Sequence, residues 1–159
     1  MKILSILFTL LLISCGGGES NYDEDSAYYP NLKTTEIQML KLVNNHRGSI
    51  GLKKLSPLNE AMFQSQNHSI FMAFSLGSLT HQGFSTRVSQ IEEDSSLNII
   101  RSGENVAYNS TTLRAHEALL NSYGHRKNIE GDFTHVGIGV ETDSNGRMYF
   151  TQIFIKVID

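Results

Sequence analysis

The apolar residues of this chain change period once, and that change sets the fold class. Between Thr35 and Leu120 they recur at helical spacing, and between Val136 and Lys156 they alternate or run on as strands do. Thr35 with Gln38 predicts a capping box, opening a helix with Ile37, Leu40 and Val43 on one stripe and stopping near Gly48. Ser56-Pro57 reads as an N-cap with proline in the first turn of a second helix. Its stripe runs through Leu58, Ala61, Met62, Ser65, Ser69, Met72 and Leu76 to Gly77. Ser85 to Glu92 predicts a shorter helix, and Thr111 or Thr112 caps another through Leu120. Val136 to Glu141, Asn145-Gly146 and Arg147 to Lys156 predict a hairpin on a type I′ turn. Helices first and an antiparallel hairpin last make the expected class α+β, a sheet layered with helices.

The chain before this region is of another kind. Lys2 precedes an apolar run of eleven residues, Ile3 to Ile13. A membrane span needs about 20, so the run has the build of an export signal. Residues 16–29 carry four carboxylates, no base and hardly an aliphatic side chain, which predicts a flexible acidic tether. Asp23, Glu24 and Asp25 lack the spaced oxygen ligands and distant Glu of a calcium loop. Residues 34–159 hold 11 bases and 12 acids. With a net charge of −3 and a pI near 6.0, the basic stripe of a nucleic-acid binder is missing, and no nucleic-acid partner is expected. The lone cysteine, Cys15, excludes an internal disulfide, a Cys-rich zinc site and a redox Cys-x-x-Cys pair.

Several chemistries fail on their motifs. There is no Gly-x-Ser-x-Gly elbow, no Gly-x-x-x-x-Gly-Lys loop and no catalytic cysteine. His116-Glu117 opens like a zinc-protease helix, but Leu120 stands where the second histidine is required. His116 therefore reads as a partly buried structural side chain, and His68 and His135 as packed or surface histidines. Three segments remain: Leu79-Thr-His81-Gln-Gly-Phe84, Gly103-Glu104-Asn105-Val106-Ala107 and Asn121-Ser122-Tyr-Gly124-His125-Arg126-Lys-Asn128-Ile129. Each sets an ionisable group beside glycine, in a loop or at a helix end by this reading.

Taken in order, these segments resemble the CAP superfamily of cysteine-rich secretory, antigen 5 and pathogenesis-related proteins, or SCP-like extracellular domains. Asn44-x-x-Arg47 with Gly51-Leu52 and Leu55 resembles the family's opening helix and turn. Thr80-His81 through Phe84 and Arg87 resembles its first histidine segment, and Gly103 to Ala107 its central signature. Asn121 to Ile129 is similar to the bacterial branch, and Val136 to Val140 with Thr151-Gln152-x-Phe154 resembles the last two strands. The resemblance implies a three-layer α-β-α sandwich with an open cleft. In many members two histidines and two glutamates line that cleft, and the histidines can hold a divalent metal, often zinc. By motif, His81, Glu104 and His125 occupy three of these positions. Ser122 stands at the fourth, three residues after Leu119, which replaces the usual tryptophan.

Leu12-Ile13-Ser14-Cys15 resembles the lipobox of bacterial lipoproteins, which implies acylation of Cys15 by palmitate-type chains. More than one chain is needed for stable attachment to membrane lipid. The expected organisation is a lipoprotein signal over residues 1–14, the acylated cysteine and tether over 15–33, and the CAP/SCP-like domain over 34–159.

Two imidazoles and a carboxylate suit Zn2+ with an open position. On that reading His81 and His125 ligate the metal, and Glu104 is the base if the site hydrolyses. The same residues, with Asn105, Ser122 and Asn128, equally suit a ligand cleft or a satisfied polar network that knits loops to the sheet. The first expectation is an exported, membrane-anchored lipoprotein of the cell envelope whose cleft binds a lipid or glycan fragment. The alternatives are a metal-assisted hydrolase of peptide or ester bonds and a pure interaction scaffold. The missing second carboxylate disfavours the enzyme, since acid and base roles usually need two tuned groups.

The anchor reading has a direct test. Cys15→Ala should release the protein from membranes or block its maturation, and fractionation measures both. A substituted protein that still sedimented with membranes at native size would refute it.

Overall fold

The computed structural model describes residues 32–158; the predicted signal, Cys15 and the tether up to residue 31 lie outside them. Helix α1 (Thr34–Ser49) starts where Lys33, still extended, donates its backbone N–H to Glu36 Oε2 at 2.9 Å. The cap is therefore Lys33 with Glu36, not Thr35 with Gln38. Burial raises the Glu36 pKa, while the Lys33 backbone bond and ammonium oppose the shift.

The predicted start of the second helix is also corrected. Ser56–Pro57 is a short strand, β1, parallel to the last part of the chain. The N–H groups of Ser56 and Leu58 donate to the Thr134 and Val136 carbonyls, both at 3.1 Å. Pro57, lacking an N–H, sits at the intervening position where none is needed. Helix α2 (Asn59–Phe71) follows and widens into a π-helical turn (Met72–Leu76), closed by Gly77 at φ +61°. Helix α3 (Phe84–Ser95), strand β2 (Ile99–Asn109), helices α4 (Thr112–Asn121) and α5 (Tyr123–Ile129), and strands β3 (His135–Thr142) and β4 (Met148–Val157) complete the order. The Thr111 hydroxyl caps α4 by accepting from the Arg114 N–H.

The strands form one sheet in the order β1-β3-β4-β2, with β3–β4 and β4–β2 antiparallel. One face carries Val136, Ile138, Val140, Phe150 and Phe154, packed with Met39, Leu40 and Val43 of α1, Ala115 and Leu119 of α4 and Ile129 of α5. The other carries Ile153, Ile155 and Val157 against Ala61 of α2 and Ile91 of α3, and Tyr149 and Val106 against Met72 and Ala73. This is the expected three-layer α-β-α sandwich. Among the described residues no helix is long and apolar enough to cross a membrane.

The hairpin forms, but not on a type I′ turn. The Asp143 carboxylate accepts the N–H groups of Asn145 and Arg147, each at 2.9 Å, and the Gly146 N–H donates to the Asp143 carbonyl at 3.0 Å. Only Gly146 takes positive φ, +77°, so the loop is a longer one in which glycine alone meets the left-handed requirement.

Gly137 and Gly139 set the distance between sheet and α2. A Cβ on either would lie 2.2 Å from the backbone of Ala61 or Ser65. Gly139→Ala should therefore destabilise the fold by about 3 kcal/mol or more, as overpacking against rigid backbone does. Urea denaturation measures it, and an unchanged midpoint would show that α2 yields freely.

A second expectation concerns acid. His116 on α4 is 5% exposed, edge-on to His46 of α1 with ring centroids 6.3 Å apart, and its Nδ1 has no partner. Burial, and then the neighbouring His46, lower its pKa to about 4. His46 itself donates Nε2–H to Glu130 Oε1 at 2.9 Å. The unfolded chain binds this proton near pH 6.5 and the folded chain does not until about pH 4. Stability thus falls as pH drops through that window. His116→Leu should reduce the acid sensitivity of Tm relative to the native chain, and parallel curves would refute the assignment.

Candidate functional site

The site is built around two adjacent residues of an edge strand. Glu104 and Asn105 lie mid-way along β2, where successive side chains point to opposite faces of the sheet. The sequence reading placed this segment in a loop or at a helix end; the structure places it in the longest strand of the described sheet. Glu104 turns toward the α2–α3 layer and Asn105 toward the α5 layer.

The Glu104 side chain is 2% exposed, and both of its oxygens are engaged. Oε1 accepts His81 Nδ1–H at 2.9 Å, and Oε2 accepts both Arg87 Nε at 3.1 Å and Arg87 Nη2. Arg87 rises from α3 one turn after Gly83, the helix N-cap at φ +76°, and its Nη1 also donates to the Gln82 carbonyl at 2.8 Å. The arginine charge offsets the desolvation of the buried carboxylate. The His81 side chain is 55% exposed, and its Nδ1–H bond selects the tautomer that leaves Nε2 without a proton. Its loop is pinned from below by buried His68 of α2, whose Nε2–H donates to the Thr80 carbonyl at 2.7 Å. Burial keeps His68 below the ordinary histidine range.

On the other face, Asn105 Nδ2 donates to the His125 carbonyl and to Gln152 Oε1, each at 3.0 Å. Asn128 Nδ2 donates to the Glu104 carbonyl at 3.1 Å and to Asn105 Oδ1 at 2.9 Å. Gly103 is needed for this approach, since a Cβ there would lie 2.8 Å from Asn128 Oδ1. The opening motif has a matching role. Asn44 clamps both backbone groups of Leu55, at 2.8 and 2.9 Å, and Arg47 Nη1 donates to the Ile129 and Gly131 carbonyls at 2.7 and 2.9 Å. Together these bonds fix both ends of α5 against α1 and β2.

The half-buried His125 imidazole is held below the ordinary histidine range, first by burial and then by the charge of His81. The two histidines come from opposite sides of the sheet, near enough for the charge of His81 to bear on His125. Ser122 is the extended break between α4 and α5; its carbonyl accepts the Arg126 N–H at 2.8 Å, and its hydroxyl joins no bond among the described residues. Exposed Glu117 lies outside the network. Arg87 and Gln152, which stand in the motifs, and His68, read as a packed or surface histidine, are parts of the machinery that the sequence reading does not assign to the site. Gln152 was open to discovery, because an amide inside an apolar strand must find a partner.

Among the described residues no cluster of three or more His, Cys, Asp and Glu side chains could hold a metal. The expected metal ligands present are the two imidazoles, His81 and His125. His125 is biased to its neutral form, and the carboxylate behind His81 orients that ring as carboxylates behind metal-binding histidines do.

The sequence model of the cysteine-rich secretory protein family, CAP, matches residues 40–154. An extracellular protein with an SCP domain from Bacillus anthracis is similar in structure, with a TM-score of 0.65 and 26% identity over 77% of this chain and 40% of its own. An outer surface protein from Borrelia burgdorferi gives 0.68 at 18% identity, over 80% of this chain and 97% of its own. Venom allergen-like protein 4 from Schistosoma mansoni gives 0.58 at 11% identity, over 80% and 92%. The last two likenesses show the fold alone. No curated protein matches the chain significantly. The family model covers most of the sequence and includes the whole His81–Glu104–His125 arrangement, and the chain belongs to the cysteine-rich secretory protein family, CAP.

Proposed function

We propose that this CAP-domain protein is a membrane-tethered lipoprotein of the cell envelope that binds a small ligand, a lipid or cell-wall fragment, in the cleft between His81 and His125. One observation carries the reading. A half-exposed histidine is oriented by a buried carboxylate, and its charge bears on a second histidine that burial holds toward its neutral form. A purely structural network has no need to leave the His81 side chain more than half exposed. The mature protein would be held by acyl chains on Cys15, and the tether would let the domain face ligands near the membrane.

A divalent ion, Zn2+ first, suits the same pair of imidazoles, and when bound it would supply a Lewis-acid point for ligand oxygens. Glu104, with both oxygens already engaged by His81 and Arg87, orients a ligand group and does not stand ready as a base. That geometry favours a binding module over a hydrolase of peptide or ester bonds.

Calorimetry with Zn2+ tests the site. His81→Ala and His125→Ala should each weaken binding by about tenfold or more, and Glu104→Gln by a similar factor through loss of the outer partner. His135→Ala is the control; His68 is unsuitable because it pins the His81 loop. Affinity should fall as pH drops through the histidine range, because the ligands must be deprotonated. Equal loss at His135, or no zinc heat near neutral pH, would overturn the metal reading.

A further inference from the structure

We propose that a second groove, separate from the His81–His125 cleft, binds the phosphate of a phosphorylated sugar. It has a volume of about 410 Å³ and is lined by Arg101, Tyr123, Arg126, Lys127, Glu130 and Gly131. Positions 123, 126, 127 and 130 are spaced i, i+3, i+4 and i+7, so they share one face of α5 and its C-terminal cap. His125 and Asn128 lie on another face, toward β2. Arg101 reaches the groove from the start of β2.

The charge here is only partly compensated. Among the described residues Arg101, Arg126 and Lys127 form no salt bridge. The carboxylates at hand are committed elsewhere. Glu130 Oε1 accepts from His46, and Asp132 Oδ1 accepts Lys156 Nζ at 2.9 Å, with the field of Arg101 reaching Asp132 as well. In a domain whose acids and bases nearly balance, three cations against the one carboxylate of Glu130 around one concavity are a local excess that suits an anion.

The cations are also oriented. The Arg101 guanidinium lies over the Phe133 ring, 4.9 Å from its centroid, and Arg126 Nη1 is fixed on the Leu120 carbonyl at 2.9 Å. The remaining guanidinium donors are planar forks that match tetrahedral oxyanions, and Lys127 adds a point charge. Two further features select a sugar over bare phosphate. Tyr123, 74% exposed, offers an apolar ring face to the C–H face of a pyranose. Glu130 Oε1 is taken by His46, which leaves Oε2 to accept from a sugar hydroxyl, a bond bare phosphate does not need.

The test is calorimetry of the full chain with glucose 1-phosphate, inorganic phosphate and glucose, beside sedimentation with phosphatidylcholine vesicles with and without phosphatidylglycerol. Glucose 1-phosphate should bind more tightly than inorganic phosphate, glucose should give no heat, and affinity should fall with added salt. Arg101→Gln and Lys127→Gln should each weaken glucose 1-phosphate about tenfold, the range of one charge-assisted contact. Tyr123→Ala should reduce the sugar phosphate to the level of inorganic phosphate. All three side chains are exposed, so Tm should hold, and zinc binding at His81 and His125 should be unaffected. Equal binding of glucose and its phosphate, or full affinity in the Arg101→Gln/Lys127→Gln double variant, would overturn the proposal. So would recruitment to phosphatidylglycerol vesicles without glucose 1-phosphate binding, which would assign the phosphate to a lipid headgroup.

Discussion

The alternation of side chains along one edge strand organises this protein. Glu104 and Asn105 are neighbours in β2, and the pleat sends one into each helical layer. Glu104 gathers Arg87 and His81 on one side, and Asn105 gathers the His125 backbone, Asn128 and Gln152 on the other. Because β2 lies at the end of the sheet, both groups lie beside its open edge. The exposure of His81 is a consequence of that position: the same residues on an inner strand would be sealed between the layers.

A buried carboxylate is costly unless it is paired and hydrogen-bonded. Arg87 supplies the charge and His81 the further donor, so Glu104 is fully satisfied and its geometry is fixed. What it controls is the histidine. A ring whose Nδ1–H is held by a carboxylate presents Nε2 in one direction and one tautomer. His68, beneath the loop, removes the remaining freedom by bonding the Thr80 carbonyl. The chemistry at the surface is thus set by groups that never reach solvent.

The layers are held at their spacing by residues chosen for absence of bulk. Gly137 and Gly139 let α2 lie directly on β3, while Val136, Ile138 and Val140 between and beside them fill the opposite face. Gly103 does the same on a smaller scale, admitting the Asn128 amide to the strand backbone. In each case the motif that identifies the family is a packing requirement before it is a functional one.

Much of this was legible in the sequence. The helical stripes of α1, α2 and α4 and the alternation in β3 and β4 were readable because each buries one face in a local period. The left-handed glycine closing the second helix was equally clear, because only glycine meets that backbone at no cost. His81, Glu104 and His125 were named together through the motifs in which they occur. What the period could not reveal was β2. Its Gly103-Glu104-Asn105 centre is polar on both faces, and a strand whose buried groups are satisfied by other layers carries no apolar alternation. Nor could it show that Ser56–Pro57 pairs with His135–Val136, that Asp143 redraws the hairpin turn, or that Arg87 and His68 serve the site. Sequence alone determined which segments could bury apolar surface and which could turn, because those preferences are local. Only the tertiary structure decided which polar groups meet, because a buried carboxylate, amide or imidazole is stable only beside partners brought from elsewhere in the chain.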